Sequence, residues 1–227
     1  MKKRNVMTMA LSLAMVGVIG AGATLAYFAD SDDAVTNSFT FAGGAGGGDA
    51  ITVILDEFVP DNPGGNATAT LKEGEKGYDY SNVVPGDTLA KMPTVSVDSE
   101  IDCYVFLKVT ENDDVKVKWI ASNPAWTEIE DADLLPGQSV YYYSGEKCKD
   151  GMNGVVPGGN EIVLISEEDQ AEALFTQVEV QTTATDDAGD GKLADVTIQV
   201  AAIQATGFTS AQNAYESNEG DLEFLGD

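Results

Sequence analysis

Apolar residues along this chain follow two patterns, one unbroken run near the start and period-two alternation over much of the remainder. The unbroken run covers residues 6–25. Alternation places successive side chains on opposite faces of a strand, so it predicts strands with one buried face. The pattern therefore predicts an all-β body that follows a single apolar segment.

The alternation predicts a series of strands, and a turn signal separates each strand from the next. Pro-Gly turns at 85–87, 136–138 and 157–159 each lead into a strand candidate. This short spacing is typical of a β-sandwich rather than of alternating strands and helices. Only 167–175 and 211–217 have a helical pattern. The predicted strands are 51–58, 101–110, 115–120, 139–143, 161–165, 177–183 and 195–203.

The apolar run resembles a secretory signal peptide. A cationic start, an apolar centre and small residues at Thr24 and Ala26 predict cleavage after Ala26, which makes Tyr27 the first residue of the mature chain. An uncleaved membrane anchor is the alternative, because about 20 apolar residues can span a bilayer. With cleavage, residues 1–26 are removed and the protein is secreted.

Residues 27–48 form a predicted arm and hinge. One side of the arm strand carries Val35, Asn37, Phe39 and Phe41. Glycines follow, and glycine loses the most backbone entropy on ordering, so this stretch predicts a hinge. The arm is either a strand that can be donated or simply the first strand of the domain. The hinge glycines are Gly43, Gly44, Gly46, Gly47 and Gly48.

The rest of the chain divides into a β-sandwich domain over 49–216 and an acidic tail over 217–227. Between the strands, 60–67 is rich in Pro, Gly and Asn, and it predicts a wide surface excursion that continues as a polar stretch to Tyr80.

The chain is strongly acidic, with a formal net charge of −26 from 12 Lys and Arg against 38 Asp and Glu. The signal takes away three cations, Lys2, Lys3 and Arg4, and no acid, so the mature charge is −29. Nucleic acid is excluded as a partner, because phosphate contacts need clustered cations. Screening salt or cations would help such subunits to assemble.

The chain contains no histidine. Ser-His-Asp and Cys-His catalytic arrangements and histidine-based zinc sites therefore cannot be built. The sequence predicts that the protein is not an enzyme, although two carboxylates alone are enough for a glycosidase.

Calcium is the ion that this composition favours, because carboxylates on loops are its preferred ligands. No cluster is a specific match, since Ala188 stands where an EF-hand loop needs an oxygen ligand. Solvated acidic turns are the alternative, and the metal ligands stay unassigned. The clusters are Asp30 with Asp32 and Asp33, 111–114, 128–133 and 186–190.

Aromatic residues offer a second candidate site. The set can form a sugar-stacking platform, or it can pack in the core. Its members are Trp119, Trp126, Tyr141, Tyr142 and Tyr143.

The two cysteines, Cys103 and Cys148, fit a disulfide in a secreted chain. The alternative, which the sequence favours equally, is that Cys103 is a buried free thiol, because it lies on the apolar side of a predicted strand.

Several segments together resemble the TasA and camelysin family of secreted bacterial matrix proteins. Their order along the chain agrees with the family, and the signal and Pro-Gly-Asp segments are the more specific parts. The segments are 20–30 (GAGATLAYFAD), 37–43 (NSFTFAG), 84–91 (VPGDTLAK) with 93–95 (PTV), 104–109 (YVFLKV) and 201–208 (AAIQATGF).

The resemblance implies a jelly-roll-like β-sandwich, processing by a dedicated SipW-type signal peptidase, and assembly into fibres of the biofilm matrix or cell surface. The partners would be other copies of the chain and a minor anchoring subunit. In such fibres the freed N-terminal strand would complete a neighbour's sheet. A metalloprotease activity that some members are credited with does not transfer, because the chain has no histidine ligands.

A second hypothesis is a monomeric, adhesin-like module on the cell surface. It rests on the aromatic strand and the acidic loops, which would bind a glycan or calcium.

Overall fold

The computed structural model describes most of the chain from residue 51 onward. At 29–32 and 38–40 it describes the backbone alone. The other described residues are 51–71, 77–119, 125–130, 133–167, 170–184, 193 and 196–218. The fold is all-β with one short helix among these residues. No helix among them is long and apolar enough to cross a membrane.

Fourteen strands and one helix are present in the described residues. In chain order they are β1 (Ala29–Asp32), β2 (Ser38–Thr40), β3 (Ile51–Phe58), β4 (Thr68–Leu71), β5 (Tyr78–Ser81), β6 (Thr88–Ala90), β7 (Met92–Ser99), β8 (Cys103–Thr110), β9 (Val115–Trp119), β10 (Trp126–Glu128), β11 (Gln138–Tyr143), β12 (Asn160–Ile165), β13 (Phe175–Val180), β14 (Thr197–Gln204) and α1 (Ala211–Asn218).

These strands form four sheets, and every described pair of neighbouring strands runs antiparallel. The largest has the order β1-β14-β8-β11-β10, and the next has the order β12-β7-β3-β2. A three-stranded sheet has the order β6-β13-β9, and β4 pairs with β5 alone. Strands distant in sequence are therefore neighbours in both large sheets.

The alternation in β8 produces two apolar layers. Cys103, Val105 and Leu107 point into the main core, which β3, β7 and β14 also line. The residues between them point the other way, where Tyr104 and Phe106 join a second cluster. The predicted division of this strand into a core face and a covered face is confirmed.

The helix α1 covers the second face of the five-stranded sheet. Ala211, Ala214 and Tyr215 are buried there, and the Tyr215 ring lies 6.0 Å from that of Phe106. Ser210 caps the helix, since its hydroxyl oxygen accepts a hydrogen bond from the Asn213 amide at 3.1 Å. The helix predicted at 211–217 is confirmed.

The strand predictions are confirmed to within a few residues, and β3 matches exactly. Each Pro-Gly turn precedes a strand, namely β6, β11 and β12. The helix predicted at 167–175 is wrong: its described residues form bends and turns, and β13 begins at Phe175. The excursion from Pro60 lies largely at the surface. It packs against β6, where the Ala90 amide donates to the Pro63 carbonyl at 2.6 Å, and it continues into β4 and β5.

Candidate assembly interface

The first strand of the arm, β1, lies on the edge of the five-stranded sheet. It pairs antiparallel with β14, and the register runs from Ala29 opposite Ile203 to Asp32 opposite Val200. On its other side, β14 pairs with β8 along its whole length. Without β1, the backbone groups of β14 on that side would form an open edge.

The second strand of the arm, β2, covers the corresponding edge of the four-stranded sheet. Ser38 lies opposite Ile54, and Thr40 lies opposite Thr52. The other side of β3 pairs with β7 over eight residues. One short arm therefore supplies the edge strand of both large sheets.

The described residues of the arm pair with a short segment of each edge. In β3 they lie opposite 52–54, and in β14 they lie opposite 200–203. Both contacts are backbone pairings, as in the addition of a strand to a sheet edge.

The covered edges are rich in buried apolar side chains. Val53 and Leu55 of β3 are 0% and 2% exposed, and Val200 and Ile203 of β14 are 0% exposed. An apolar strand with free backbone groups is a template for pairing with another chain. Either edge, if uncovered, could therefore accept a strand from the same chain or from another.

Most of the predicted arm and signal residues lie outside the described part of the chain. Phe39 is described by its backbone, which lies opposite Val53. The arm strand predicted at 35–42 thus overlaps β2. Outside the description are Thr24, Ala26, Tyr27, Val35, Asn37, Phe41, Gly43, Gly44, Gly46, Gly47 and Gly48.

A buried ion pair lies at the far end of β3. Lys91 Nζ is 2.8 Å from Glu57 Oε2, and the two side chains are 9% and 5% exposed. The Tyr80 hydroxyl lies 3.0 Å from Glu57 Oε1 and 2.8 Å from the Ala90 carbonyl oxygen. Burial raises the pKa of Tyr80 above its usual range, and the negative charge of the Glu57 carboxylate raises it further. This group, which sequence reasoning missed, ties β5 to β3 and to the start of β7.

A second buried network lies around Glu172. The Tyr143 hydroxyl donates to its carboxylate, which also accepts from the Glu146 amide at 3.0 Å. The Trp126 indole donates to the Glu172 carbonyl at 2.8 Å, and its ring lies edge-on to Tyr143 at 5.3 Å. Burial raises the pKa of Tyr143, and the hydrogen bond to the Glu172 carboxylate raises it further.

The aromatic residues do not form an exposed platform among the residues whose side chains are described. Tyr143 and Trp126 are 0% and 5% exposed, and Tyr141 and Tyr142 are half-buried. The Trp119 side chain lies outside the description. The alternative of core packing therefore holds for Trp126 and Tyr143.

The acidic clusters are not brought together as a cation site in the described part of the chain, where no group of three or more His, Cys, Asp or Glu is arranged to hold a metal ion. In the cluster at 111–114, the Asn112 side-chain oxygen accepts from the amides of Asp114 and Val115, both at 2.8 Å, and Glu111 accepts from the Val117 amide. These side chains hold a turn. The cluster at 186–190 lies outside the description.

Both cysteines are free thiols in the structure. Cys103 is 0% exposed in the main core, and Cys148 is half-buried against the same cluster. The predicted position of Cys103 on the buried side of its strand is confirmed, and its pairing with Cys148 stays a prediction.

Comparison with known proteins adds no family. No protein-family model, no curated protein and no solved structure matches this chain.

Proposed function

We propose that this protein is a secreted structural subunit that assembles into fibres of the extracellular matrix or cell surface. Each subunit would be a jelly-roll-like β-sandwich that donates its N-terminal arm to a neighbour. The observation that carries the proposal is the pairing of one arm with the edges of both large sheets, through β14 and β3.

The pairing within one chain supports exchange between chains. The hydrogen bonds that β1 and β2 make with their own edges can be made equally well with the same edges of another copy. Such an exchange needs only a connection that can redirect the arm, and the glycine-rich stretch 43–48 has the composition for it. At high subunit concentration, exchange then adds new contacts between subunits at little cost in existing ones.

Cleavage of the signal peptide would determine when assembly can begin. The arm begins directly after the proposed cleavage at Ala26, so a dedicated signal peptidase frees Tyr27 and the strand behind it. The mature charge of −29 repels isolated subunits. Salt or calcium would therefore promote assembly by screening, and a minor subunit would anchor the fibre.

The test is assembly of the mature chain, 27–227, against a chain that begins at residue 49. Electron microscopy and sedimentation at several salt and calcium concentrations should show fibres from the first and none from the second. A synthetic peptide of residues 27–42 should bind the shortened chain one to one. A scrambled peptide of the same composition is the matched control, and a chain that ends at residue 218 controls for loss of the acidic tail.

Two results would overturn this function. One is a mature chain that stays monomeric under every condition, and the other is a shortened chain that polymerises as well as the full one. If the shortened chain does not fold alone, co-refolding with the peptide decides, because the proposal requires the 27–42 peptide to rescue it and the scrambled peptide to fail.

A further inference from the structure

The two cysteines lie in segments that the fold brings side by side. Asp102 and Lys149, their immediate neighbours in sequence, form an ion pair with Nζ 2.6 Å from Oδ2. The Asp102 carboxylate also accepts from the Gly158 amide at 3.2 Å. The beginning of β8 and the loop around residue 148 are therefore joined at one point.

Backbone hydrogen bonds fix the same two segments to a third one. Cys103 exchanges two hydrogen bonds with Val156, at 3.0 and 2.8 Å. On the other side of this segment, the Lys149 amide donates to the Val155 carbonyl at 2.8 Å. Residues 155 and 156 thus connect the backbone beside one cysteine to the backbone beside the other.

The two thiols face the same apolar environment. Cys103 belongs to the main core, and Cys148 packs against that core while its Sγ lies 3.8 Å from the Tyr143 carbonyl oxygen. Burial raises the pKa of Cys103 to about 12, and the nearby Cys148 contributes to the rise. Burial raises the pKa of Cys148 to about 11. Both groups therefore stay protonated thiols at neutral pH, and spontaneous oxidation is slow.

We propose that Cys103 and Cys148 form an intramolecular disulfide by exchange with an external disulfide, and that Cys148 is the thiol that reacts first. Cys148 is the partly exposed member of the pair, whereas Cys103 is 0% exposed. An external disulfide can therefore reach Cys148 alone. The structure corresponds to the reduced form of this pair.

The exchange has two balanced steps. The Cys148 thiolate attacks one sulfur of the external disulfide, forms a mixed disulfide and releases one external thiolate. The Cys103 thiolate then attacks Cys148 Sγ, closes the bond and releases the second external thiolate. Two protons leave the cysteines, and the external disulfide takes up their two electrons.

The bond would fasten the loop around Lys149 to β8, across a span of 45 residues that includes β9, β10 and β11. Closing a loop of this length restricts the unfolded chain. We expect the melting temperature to rise by about 5–10 °C on oxidation. The inference does not depend on fibre assembly, because it concerns a single folded chain.

The test exposes the purified mature chain, 27–227, to excess glutathione disulfide at pH 8. We expect a mass lower by two hydrogens, a peptide containing both cysteines after digestion without reductant, and a melting temperature that falls back with dithiothreitol. Cys148→Ser and Cys103→Ala are the matched variants, and neither should show a shift that reductant reverses. Cys148→Ser should also resist glutathione, whereas Cys103→Ala should hold one glutathione on Cys148.

Three outcomes would overturn the proposal. They are two thiols that remain free after exposure, a wild-type chain that stops at glutathione on Cys148, and a disulfide between two chains. If Cys103→Ala does not fold, labelling of Cys103 in the folded Cys148→Ser chain decides the order of reaction. Rapid labelling there would contradict entry through Cys148.

Discussion

The N-terminal arm and the β4-β5 hairpin are both additions to the two large sheets, but they are attached in different ways. The described contacts of the arm are strand pairings with two sheet edges. The hairpin is held instead by side chains, because Tyr80 reaches the buried pair of Glu57 and Lys91. The loop that leads into it also packs closely, since the Gly64 backbone approaches the Thr88 carbonyl.

The difference lies in what another copy of the chain can replace. A strand pairing is a repeat of backbone groups, which any copy can supply without a loss. The hairpin attachment depends on one particular side chain, because the Tyr80 hydroxyl meets the buried Glu57 carboxylate and the Ala90 carbonyl. The hairpin is therefore fixed to its own sheet by a side chain, whereas the described attachment of the arm is a strand pairing, as expected of an exchangeable strand.

The largest effect is expected from breaking the buried ion pair that the hairpin contacts through Tyr80. Lys91→Ala leaves the Glu57 carboxylate buried without its cation, so the free energy of unfolding should fall by about 3–5 kcal/mol. Lys149→Ala breaks an exposed pair, whose side chains are 40% and 34% exposed, and should cost less than about 1 kcal/mol. Urea unfolding measures both variants. Equal losses would mean that the Glu57 carboxylate is not left uncompensated in the interior.

A smaller effect is expected from crowding the loop that leads into the hairpin. A Cβ at Gly64 would lie 2.3 Å from the Thr88 carbonyl oxygen, and the residue has a φ of +122°. Gly64→Ala should therefore cost about 2–3 kcal/mol. Gly151→Ala is the control, because its φ is +74° with nothing within 4 Å of the new atom, and it should cost about 1 kcal/mol. A loop that moves away freely would make the two costs equal.

The third effect depends on pH. The folded pKa of Tyr80 is raised above the usual 10.0, so the stability that its neutral phenol contributes is complete below pH 10 and is lost as pH rises through the folded pKa. Each such phenol adds a loss of about 1.4 kcal/mol per pH unit. Tyr80→Phe should remove its share of this slope in urea titrations between pH 9 and 11. A slope that is unchanged in this variant would contradict the burial of the phenol.

The smallest effect is a difference in local opening between the N-terminal arm and the β4-β5 hairpin. The described contacts of the arm are backbone pairings, so amides at 38–40 should exchange with solvent at least about 10-fold faster than those at 78–81 in a monomeric sample. Hydrogen exchange followed by mass spectrometry measures both segments in one experiment. Slower exchange in the arm would mean that the arm is the more firmly attached element.

The sequence predicted the strands well where burial follows a simple alternation. In β3, Ile51, Val53 and Leu55 alternate with more exposed residues, and the predicted bounds are exact. The pattern failed at 167–175, because Ala173, Leu174 and Phe175 are buried in succession where the Glu172 carbonyl accepts from Trp126. A run of buried residues has no period from which the element can be read.

The attachment of the hairpin could not be predicted, because its members are distant in sequence. Lys91 lies 34 positions from Glu57, and Tyr80 lies 23 positions from it. Local patterns carry no information about which of many acids meets a given lysine. The arm strand was predicted from the alternation around Phe39, and its donation to a neighbour stays a prediction.

The single arm of each chain sets the direction of any polymer built by exchange. One subunit would have one strand to give and one pair of edges, on β14 and β3, to receive it. Such a contact is heterologous, so the polymer does not close by a two-fold axis, and its two ends differ. A chain that begins at residue 49 would receive a strand but offer none, and would therefore block growth at one end. The free 27–42 peptide would block growth at the opposite end.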